Sequence, residues 1–356
     1  MVRMRVSVAC SQFPPTRSGY ARVAYETDMG LERLGYDVSV VTENSGCRRI
    51  WNLPYLDGEG REIIRKSDVV VVIGPSPPFT EQVCRYAASH GIPVIYITNA
   101  FVGLASYLDN VLFRALDAIY ERLFYRRMLE RCRIVFAQTS SFARHLGLKR
   151  TVYVCPFGIR SLPKPPAMRR EKRALFVGQF RDYKGIKVLL RAAREMKRSG
   201  TVVPIDIAGS GPRLEWMLKY IARNSLDFVR VHVSPDDEEL AALYALDSVF
   251  VLPSVSAESF GFVVVESASM GMKVVTSDLP GLEEVCRKVG GTVVRRRDPK
   301  ALASAILRAV NDHVPTVVDI SEFSWERNIQ VLSNAITAVA REMGREVENV
   351  PVSNPE

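Results

Sequence analysis

The chain carries two glutamates, Glu258 and Glu266, separated by seven residues where a buried strand is predicted to end and a helix to begin. Gly261, between them, lets the backbone approach a ligand closely because it has no side chain. Free N–H groups at a helix start attract phosphate. Glu266 lies about one and a half turns into the helix and can face the same pocket. The pattern predicts two carboxylates binding hydroxyl groups on different parts of one phosphate-bearing ligand; the alternative is two ordinary surface charges.

A second glycine-rich turn, Gly209-Ser-Gly211-Pro212, follows a predicted strand and opens a predicted helix. In nicotinamide enzymes a dinucleotide-binding fingerprint occupies this position. Here Leu214 stands where the third glycine of that fingerprint is expected, and Pro212 lies at the helix start. The turn alone is a weak signal, and it does not favour a nicotinamide enzyme.

Short apolar strands alternate with helices along the chain, which is typical of parallel α/β sheets with helices on both faces. The predicted strands cover residues 5–9, 37–42, 68–73, 93–97 and 134–137, and then 174–177, 205–208, 229–233, 248–252, 273–276 and 292–294. Between these two sets, the proline- and charge-rich stretch Ser161 to Arg173 is interpreted as a linker.

The sequence therefore predicts two doubly wound, Rossmann-like domains, residues 1–160 and 174–325. A last helix, about 326–345, has apolar residues at helical spacing and is expected to pack back on the first domain. Ligands of such sheets bind outside the carboxyl ends of the strands, so the cleft between the domains is the expected site.

Composition limits the classes of function. With 356 residues, 47% of them hydrophobic and 24% charged, the chain is an ordinary globular protein. Its net charge of +9 favours anionic partners such as nucleotide phosphates, a membrane surface or nucleic acid, and does not choose among them. Six cysteines without a C-x-x-C pair and only four histidines predict no metal site and reduced thiols in the cytoplasm.

The uncharged stretch Gly91 to Leu108 is interrupted by proline, glycine and polar residues, so we interpret it as a buried strand and loop, not a membrane span.

The run from Pro253 to Glu266 resembles the glutamate–seven residues–glutamate motif of retaining glycosyltransferase family four. Six other segments resemble motifs of that family in the same order along the chain: Pro14 to Gly19, Cys132 to Ser140, Val154 to Ile159, Val177 to Gly185, Gly209 to Pro212 and Asp278 to Glu284. The resemblance implies a GT-B fold, in which two Rossmann-like domains face each other across a cleft, with the nucleotide-sugar donor bound mainly by the second.

The resemblance also implies roles for particular residues. Glu258 would bind the hydroxyls of the donor sugar, Glu266 the ribose, and Lys184 the diphosphate as it leaves. Further donor-binding positions are Gly178, Gln179, Arg181, Gly209, Gly211, Ser259, Phe260 and Gly261. The family retains anomeric configuration and uses no metal, so the resemblance implies a UDP-, GDP- or ADP-linked sugar as substrate and no cofactor.

Three positions depart from the family pattern. Gln179 replaces the usual arginine, although Arg181 is close in sequence; Asn99 stands where a histidine is frequent; and the N-terminal loop reads Arg17-Ser18-Gly19 in place of paired glycines. Asn99 cannot act as a base, although it can hydrogen-bond a sugar. These departures keep open a non-catalytic subunit that binds a nucleotide sugar, and less favourably a nucleotide-sugar epimerase.

The acceptor is expected on the first domain, near Ser18, Gly19 and Asn99. The loops there are apolar and aromatic, and a basic aromatic helix is predicted from about Asn110 to Arg131. Basic residues beside aromatic ones suit an anionic lipid surface, so we expect a lipid-linked or other glycan acceptor and peripheral contact with a membrane. The alternative is a soluble sugar acceptor and a helix that simply packs on the sheet. The three arginines from Arg295 to Arg297 are too few for a nucleic-acid site.

Overall fold

The computed structural model describes residues 3–16, 18–42, 45–50, 53–99, 119–160, 162–163, 169–256, 258–312 and 318–344. These residues form two compact units. The first contains the described residues up to Gly158 and those from Phe323 onward, and the second contains those from Ile159 to Glu322.

The first unit is built on a parallel sheet of six described strands. The strands of this unit are β1 (Arg5–Ala9), β2 (Asp37–Val41), β3 (Cys47–Ile50), β4 (Leu53–Leu56), β5 (Val69–Gly74), β6 (Val94–Thr98), β7 (Ile134–Ala137) and β8 (Tyr153–Val154). Six of them form the sheet in the order β2-β1-β5-β6-β7-β8, and β3 and β4 pair as a separate antiparallel hairpin. Every residue of β5 and β6 is buried, which explains why these central strands read as uninterrupted apolar runs.

Helices connect these strands and begin at side-chain caps. The helices of the first half are α1 (Gly19–Arg33), α2 (Gly58–Arg65), α3 (Phe79–Ser89), α4 (Arg126–Arg131) and α5 (Ser140–Leu146). Ser18 caps α1, Asp57 caps α2 and Thr139 caps α5, each by accepting a hydrogen bond from a backbone N–H of the first turn.

The basic helix predicted from about Asn110 to Arg131 falls partly outside the described residues, which resume at 119. From there the chain is helical, and it contains a π-helical turn, Glu121–Tyr125, directly before α4. The extra residue in a π turn changes which side chains face the core. Tyr125 is buried, whereas Leu123 and Phe124 are exposed.

The second unit repeats the architecture. Its described strands are β9 (Glu171–Val177), β10 (Ile205–Gly209), β11 (Val229–Val233), β12 (Asp247–Leu252), β13 (Lys273–Ser277) and β14 (Thr292–Val294). They form a parallel sheet in the order β11-β10-β9-β12-β13-β14. The helices are α6 (Ile186–Arg198), α7 (Leu214–Arg223), α8 (Asp237–Leu246), α9 (Phe262–Ser269), α10 (Pro280–Lys288) and α11 (Pro299–Asn311).

The predicted linker is shorter than the sequence indicated. Strand β9 already begins at Glu171, and the two arginines around its start are structural. Arg170 donates to the carbonyl oxygens of Tyr244, at 2.9 Å, and Asp247, at 2.6 Å. Arg173 is 7% exposed and forms an ion pair with Asp206. The sequence places both arginines in the linker, but their planar guanidinium groups contact oxygen atoms of the second unit.

The last helix, α12 (Trp325–Glu342), belongs to the first unit and packs on α1. A Cβ placed on Gly30 of α1 would lie 2.5 Å from the Ile329 side chain, so the two helices approach closely at this glycine. The Tyr36 hydroxyl lies 2.8 Å from Ser333 Oγ. Within the described ranges, no helix combines the length and the apolar character needed to cross a membrane.

Candidate functional site

A lysine and a glutamate meet at the carboxyl edge of the second sheet. Lys184 ends a 3-10 turn that follows β9, and Glu258 lies in the loop after β12. Because β9 and β12 are neighbours in the sheet, the loops after them arrive at the same place. Lys184 Nζ lies 2.5 Å from Glu258 Oε2, and the two side chains are only 15% and 11% exposed. The structure thus brings together the two residues that the sequence assigned to chemistry.

The Lys184 ammonium is held in its charged form. Burial lowers its pKa, but the attraction of the Glu258 carboxylate, with a further contribution from Tyr183, outweighs burial, so the pKa of Lys184 is raised from its ordinary value. Ser254 Oγ donates a hydrogen bond of 3.4 Å to the same carboxylate oxygen. A partly buried, permanently charged cation of this kind suits an anionic ligand group.

Backbone contacts fix the two loops against each other. The Val255 N–H donates to the Tyr183 carbonyl at 2.7 Å. Gly185 has a φ of +77°, and a Cβ at this position would lie 1.8 Å from the Pro253 carbonyl oxygen. Only glycine therefore fits beside Lys184, which explains the lysine–glycine pair in the sequence.

Helix α9 begins at the same edge. Gly261 precedes it with a φ of +80°. The preceding residues Ser259 and Phe260 are 5% and 2% exposed, so both are buried beneath the surface of the loop. A Cβ on Gly281 would lie 2.2 Å from the Ser259 carbonyl oxygen, which fixes the loop against α10. The arrangement points the N-terminal end of a helix to the sheet edge where phosphate groups are commonly bound.

Glu266, one turn into α9, has its own set of partners. Its carboxylate lies 3.3 Å from Arg160 Nε and accepts a 3.4 Å hydrogen bond from the Tyr244 hydroxyl. Arg160 also pairs with Asp237 at 2.8 Å. Burial, and then the nearby Glu266 charge, raise the pKa of Tyr244 well above its usual range. Glu266 itself is 6% exposed, so it is not the surface charge of the alternative interpretation.

The glycines after β9 and β10 serve close backbone packing. Gly209 has a φ of +143°, and a Cβ there would lie 2.0 Å from the Gly178 carbonyl oxygen. Gly211 has a φ of +150° and approaches the Phe180 backbone in the same way. The Phe180 N–H donates to the Ser210 carbonyl at 2.7 Å. These glycines therefore allow the loop that begins with Gly178 to pack directly against the loop that begins with Gly209.

Gln179 and Arg181 lie in the first of these loops. The Tyr183 hydroxyl donates to Gln179 Oε1 at 3.1 Å. Asp182 forms an ion pair with Arg213, from the loop after β10, and a 3.0 Å ion pair with Lys187. Arg213 thus adds a cation to the loop cluster where Gln179 replaces an arginine. The sequence offered no signal for Arg213, Arg160 or Tyr244, because each contact depends on tertiary packing.

The first-unit positions lie at the carboxyl edge of that unit's own sheet. Ser18 Oγ donates to Gln12 Oε1 at 2.6 Å and accepts from the Ala21 N–H at 3.1 Å, so Ser18 acts as the cap of α1, whose first residue is Gly19. Asn99 directly follows β6, is 7% exposed, and its N–H donates to the Gly74 carbonyl at 2.6 Å. Arg17 and the residues from 100 to 107 lie outside the described residues.

Comparison with known proteins identifies the family. The family model for glycosyl transferases group 1 matches residues 161–342, just over half of the chain. The chain belongs to this family. The match covers the Lys184, Glu258 and Glu266 positions, and the family that the sequence motifs resembled is confirmed.

Curated relatives are glycosyltransferases of several kinds. The chain is 33% identical over 184 residues to a D-inositol 3-phosphate glycosyltransferase of Streptomyces griseus, covering 46% of this chain and 38% of the relative. It is 32% identical over 185 residues to a D-rhamnosyltransferase of Pseudomonas aeruginosa, covering 48% and 47%. A glycogen synthase of Mycobacterium tuberculosis is 31% identical over 161 residues, covering 44% and 39%. The chain thus spans less than half the length of these relatives.

Solved structures share the fold over nearly the whole chain. A sucrose-phosphate synthase from Thermosynechococcus elongatus aligns with a TM-score of 0.67 at 18% identity, covering 96% of this chain and 98% of that one. Anabaena HepE in complex with UDP and glucose aligns with a TM-score of 0.61 at 14% identity, covering 96% and 98%. The prediction of two Rossmann-like units of the GT-B class is confirmed.

Proposed function

We propose that this chain transfers a sugar from a nucleotide-sugar donor, with retention of anomeric configuration and without a metal ion, to a glycan or lipid-linked acceptor. The observation that carries the proposal is the Lys184–Glu258 pair at the carboxyl edge of the second sheet. This pair lies within the segment that the family model matches.

The second unit would bind the donor. Lys184 would contact the diphosphate and stabilise the negative charge that grows as the nucleotide leaves; one such charge pair is worth about 4 kcal/mol at ~4 Å and an effective dielectric of ~20, before desolvation costs. Glu258 would then exchange part of its contact with Lys184 for the hydroxyls of the sugar. The N-terminal end of α9, behind Gly261, would face the phosphates.

A panel of UDP-, GDP- and ADP-linked sugars tests this proposal. The correct donor is expected to raise the melting temperature, because a ligand that binds only the native state stabilises it. Release of the nucleotide from that donor by this chain alone separates a transferase from a non-catalytic binding subunit, the second candidate suggested by Gln179 and Asn99. Donor binding without any nucleotide release, in the presence of a range of acceptors, would favour the subunit.

Glu266 is expected to bind the ribose. Replacing Glu266 with alanine should weaken nucleotide binding about tenfold, because loss of a charged hydrogen-bond partner costs ~1.5–3 kcal/mol, offset partly by water. Isothermal titration with the free nucleoside diphosphate measures this loss.

Two further variants control for structure. Glu266→Gln keeps the shape beside Arg160 and Tyr244, whereas Glu215→Ala removes a carboxylate that is 80% exposed in an ion pair with Lys219. Nucleotide affinity should be unchanged in Glu215→Ala. Unchanged affinity in Glu266→Ala as well would mean that Glu266 serves only to hold Arg160.

Activity is expected to survive a chelator. Among the residues that the structure describes, no three histidine, cysteine, aspartate or glutamate side chains come together as a metal site. The proposal assigns charge stabilisation to Lys184 instead. Turnover should be the same with and without EDTA; abolition by EDTA and recovery with magnesium or manganese would refute metal independence.

The first unit would bind the acceptor near Ser18, Gly19 and Asn99. We expect a glycan or lipid-linked acceptor, and contact with an anionic membrane through the basic segment before β7, but no nucleic acid. The Asn99 amide can hydrogen-bond a sugar hydroxyl. Transfer to glycolipid acceptors in anionic vesicles, compared with transfer to the same soluble glycan, would identify the acceptor class.

A further inference from the structure

An open cavity of about 650 Å³ lies at the amino-terminal edge of the first unit's sheet. Its walls come from α3, the start of β6, the helical segment before β7 and the end of α12, and it is lined by apolar side chains including Ala88, Ile92, Val94, Leu123, Phe124 and Met128. The volume lies within the ~300–1,000 Å³ range of ligand pockets. Ser18 and Asn99 follow the carboxyl ends of strands of the same sheet, so this cavity is a different place from the proposed acceptor site.

Large apolar side chains at this cavity are exposed. Phe124 is 61% exposed, and Leu123 and Met343 are each 43% exposed. The π-helical turn turns Leu123 and Phe124 outward while the next residue, Tyr125, is 1% exposed. Exposed apolar side chains grouped around a cavity mark a surface that binds something apolar.

Arginines surround the same opening. Arg85, Arg127, Arg131 and Arg133 all line it, and each is exposed. Arg133 pairs with Glu342, whereas Arg127 and Arg131 have no ion pair within the described parts of the chain. An apolar interior with a basic rim complements a molecule that has an apolar chain and an anionic head.

Glu81 is the acidic residue of the lining. Its two carboxyl oxygens are buried and have no hydrogen-bond partner among the other described residues. Burial raises the pKa of this carboxyl to about 7. At neutral pH a large fraction of Glu81 is therefore uncharged, so it reduces the positive charge of the rim only in part.

We propose that this cavity binds one acyl chain of an anionic phospholipid, with the lipid phosphate contacting Arg127 and Arg131. This inference rests on the membrane contact proposed above. It gives that contact a defined location and a lipid ligand. It holds the protein at the bilayer and is separate from the acceptor site near Ser18 and Asn99.

Vesicle co-sedimentation tests the charged rim. Wild-type protein should bind vesicles of phosphatidylglycerol mixed with phosphatidylcholine and not vesicles of phosphatidylcholine alone. The double variant R127E/R131E should bind roughly twentyfold more weakly or worse, since each basic residue near an anionic surface contributes about a factor of five. The matched control R122E/R144E makes the same change of charge at exposed arginines that do not line the cavity, and should retain most of the binding.

Filling the cavity tests the apolar part. Ala88 is exposed on α3 and lines the opening, so Ala88→Trp should block it with little effect on the melting temperature. This variant should lose binding to phosphatidylglycerol vesicles. A short-chain phosphatidylglycerol below its micelle concentration should raise the melting temperature of the wild type, because it binds the native state, and should not raise that of Ala88→Trp.

Three results would overturn the inference: no binding of the wild type to phosphatidylglycerol vesicles, equal weakening by R122E/R144E, or normal binding of Ala88→Trp. The second and third results would mean that vesicle binding depends on diffuse surface charge. If the cavity instead binds a second copy of the chain, sedimentation would change without vesicles, and the inference would also be wrong. Nucleotide release without lipid tests the proposed transferase activity independently, so the two can fail separately.

Discussion

Replacing Lys184 with alanine is expected to lower turnover by about 10²–10³-fold, the usual effect of removing one group that stabilises transition-state charge. The Lys184 ammonium is partly buried beside Glu258 and has a raised pKa, so it is charged throughout the neutral range. If its main role is to meet the charge that develops on the departing diphosphate, kcat should fall far more than donor affinity. Steady-state kinetics with the donor identified by thermal shift measures both.

The control for this variant is Lys219→Ala. Lys219 is 62% exposed and forms an ion pair with Glu215 on one face of α7, so its removal should leave both constants unchanged. Equal losses in kcat and in affinity for Lys184→Ala would identify a contact that binds substrate and transition state equally. A variant with normal turnover would place Lys184 outside the reaction.

Lys184→Ala also leaves the Glu258 carboxylate without its cation. Part of the loss can therefore come from a misplaced or repulsive Glu258 and not from the missing charge on the diphosphate. The double variant Lys184→Ala/Glu258→Gln separates these effects, because residues in direct contact are expected to be non-additive. Partial recovery in the double variant would assign the recovered portion to Glu258.

The strands were predictable from the sequence almost residue by residue. The predicted bounds of β1, β7, β11 and β14 agree with the structure, and the other predicted strands agree within three residues. Strands in the centre of a parallel sheet are buried on both faces, so they leave a continuous apolar run. The β3–β4 hairpin and the two-residue strand β8 were missed, because they are short and Pro54 and charged residues interrupt the pattern.

The buried charged residues of the second unit could not be predicted from the sequence. Arg173, which was assigned to the linker, lies with Asp206 and Asp247 inside the second unit. Burial, followed by the neighbouring Asp206 carboxylate, raises the pKa of Asp247 to about 8. Composition cannot distinguish a solvated arginine from one that lies between two buried acidic side chains, since the difference arises only when the strands pair.

Two residues that the sequence assigned to the donor site lie together in the structure, whereas their surroundings left no signal in the sequence. Lys184 and Glu258 are 74 residues apart in sequence, and the pairing of β9 with β12 brings them together. The family resemblance assigned both residues to the donor site, but it did not predict that the two side chains pair with each other. The partners of Glu266 come from distant segments of the second unit, Tyr244 from α8 and Arg160 from the segment before β9, which no local pattern of residues indicates.

Truncating the chain after Ser321 is expected to unfold the first unit, although the deletion lies at the opposite end of the sequence. Helix α12 would be lost, and with it five buried side chains of the first unit: Trp325, Ile329, Leu332, Ile336 and Val339, each no more than 9% exposed. Removing one such side chain costs ~2–5 kcal/mol, and a whole domain is stable by only ~5–15 kcal/mol. Hydrogen exchange of β1 and β5 would report the loss as rapid exchange in strands that are otherwise protected.

A shorter deletion and two point variants make this prediction specific. Truncation after Gly344 keeps all of α12 and should leave the exchange of β1 and β5 unchanged. Ile336→Ala should destabilise the first unit by about 2–5 kcal/mol, whereas Glu326→Ala, at an exposed position of the same helix, should have little effect. If the chain truncated after Ser321 kept β1 and β5 as protected as the full chain does, the sheet would be stable without α12. The contacts of Ile329 with Gly30 and of Ser333 with Tyr36 would then contribute nothing measurable.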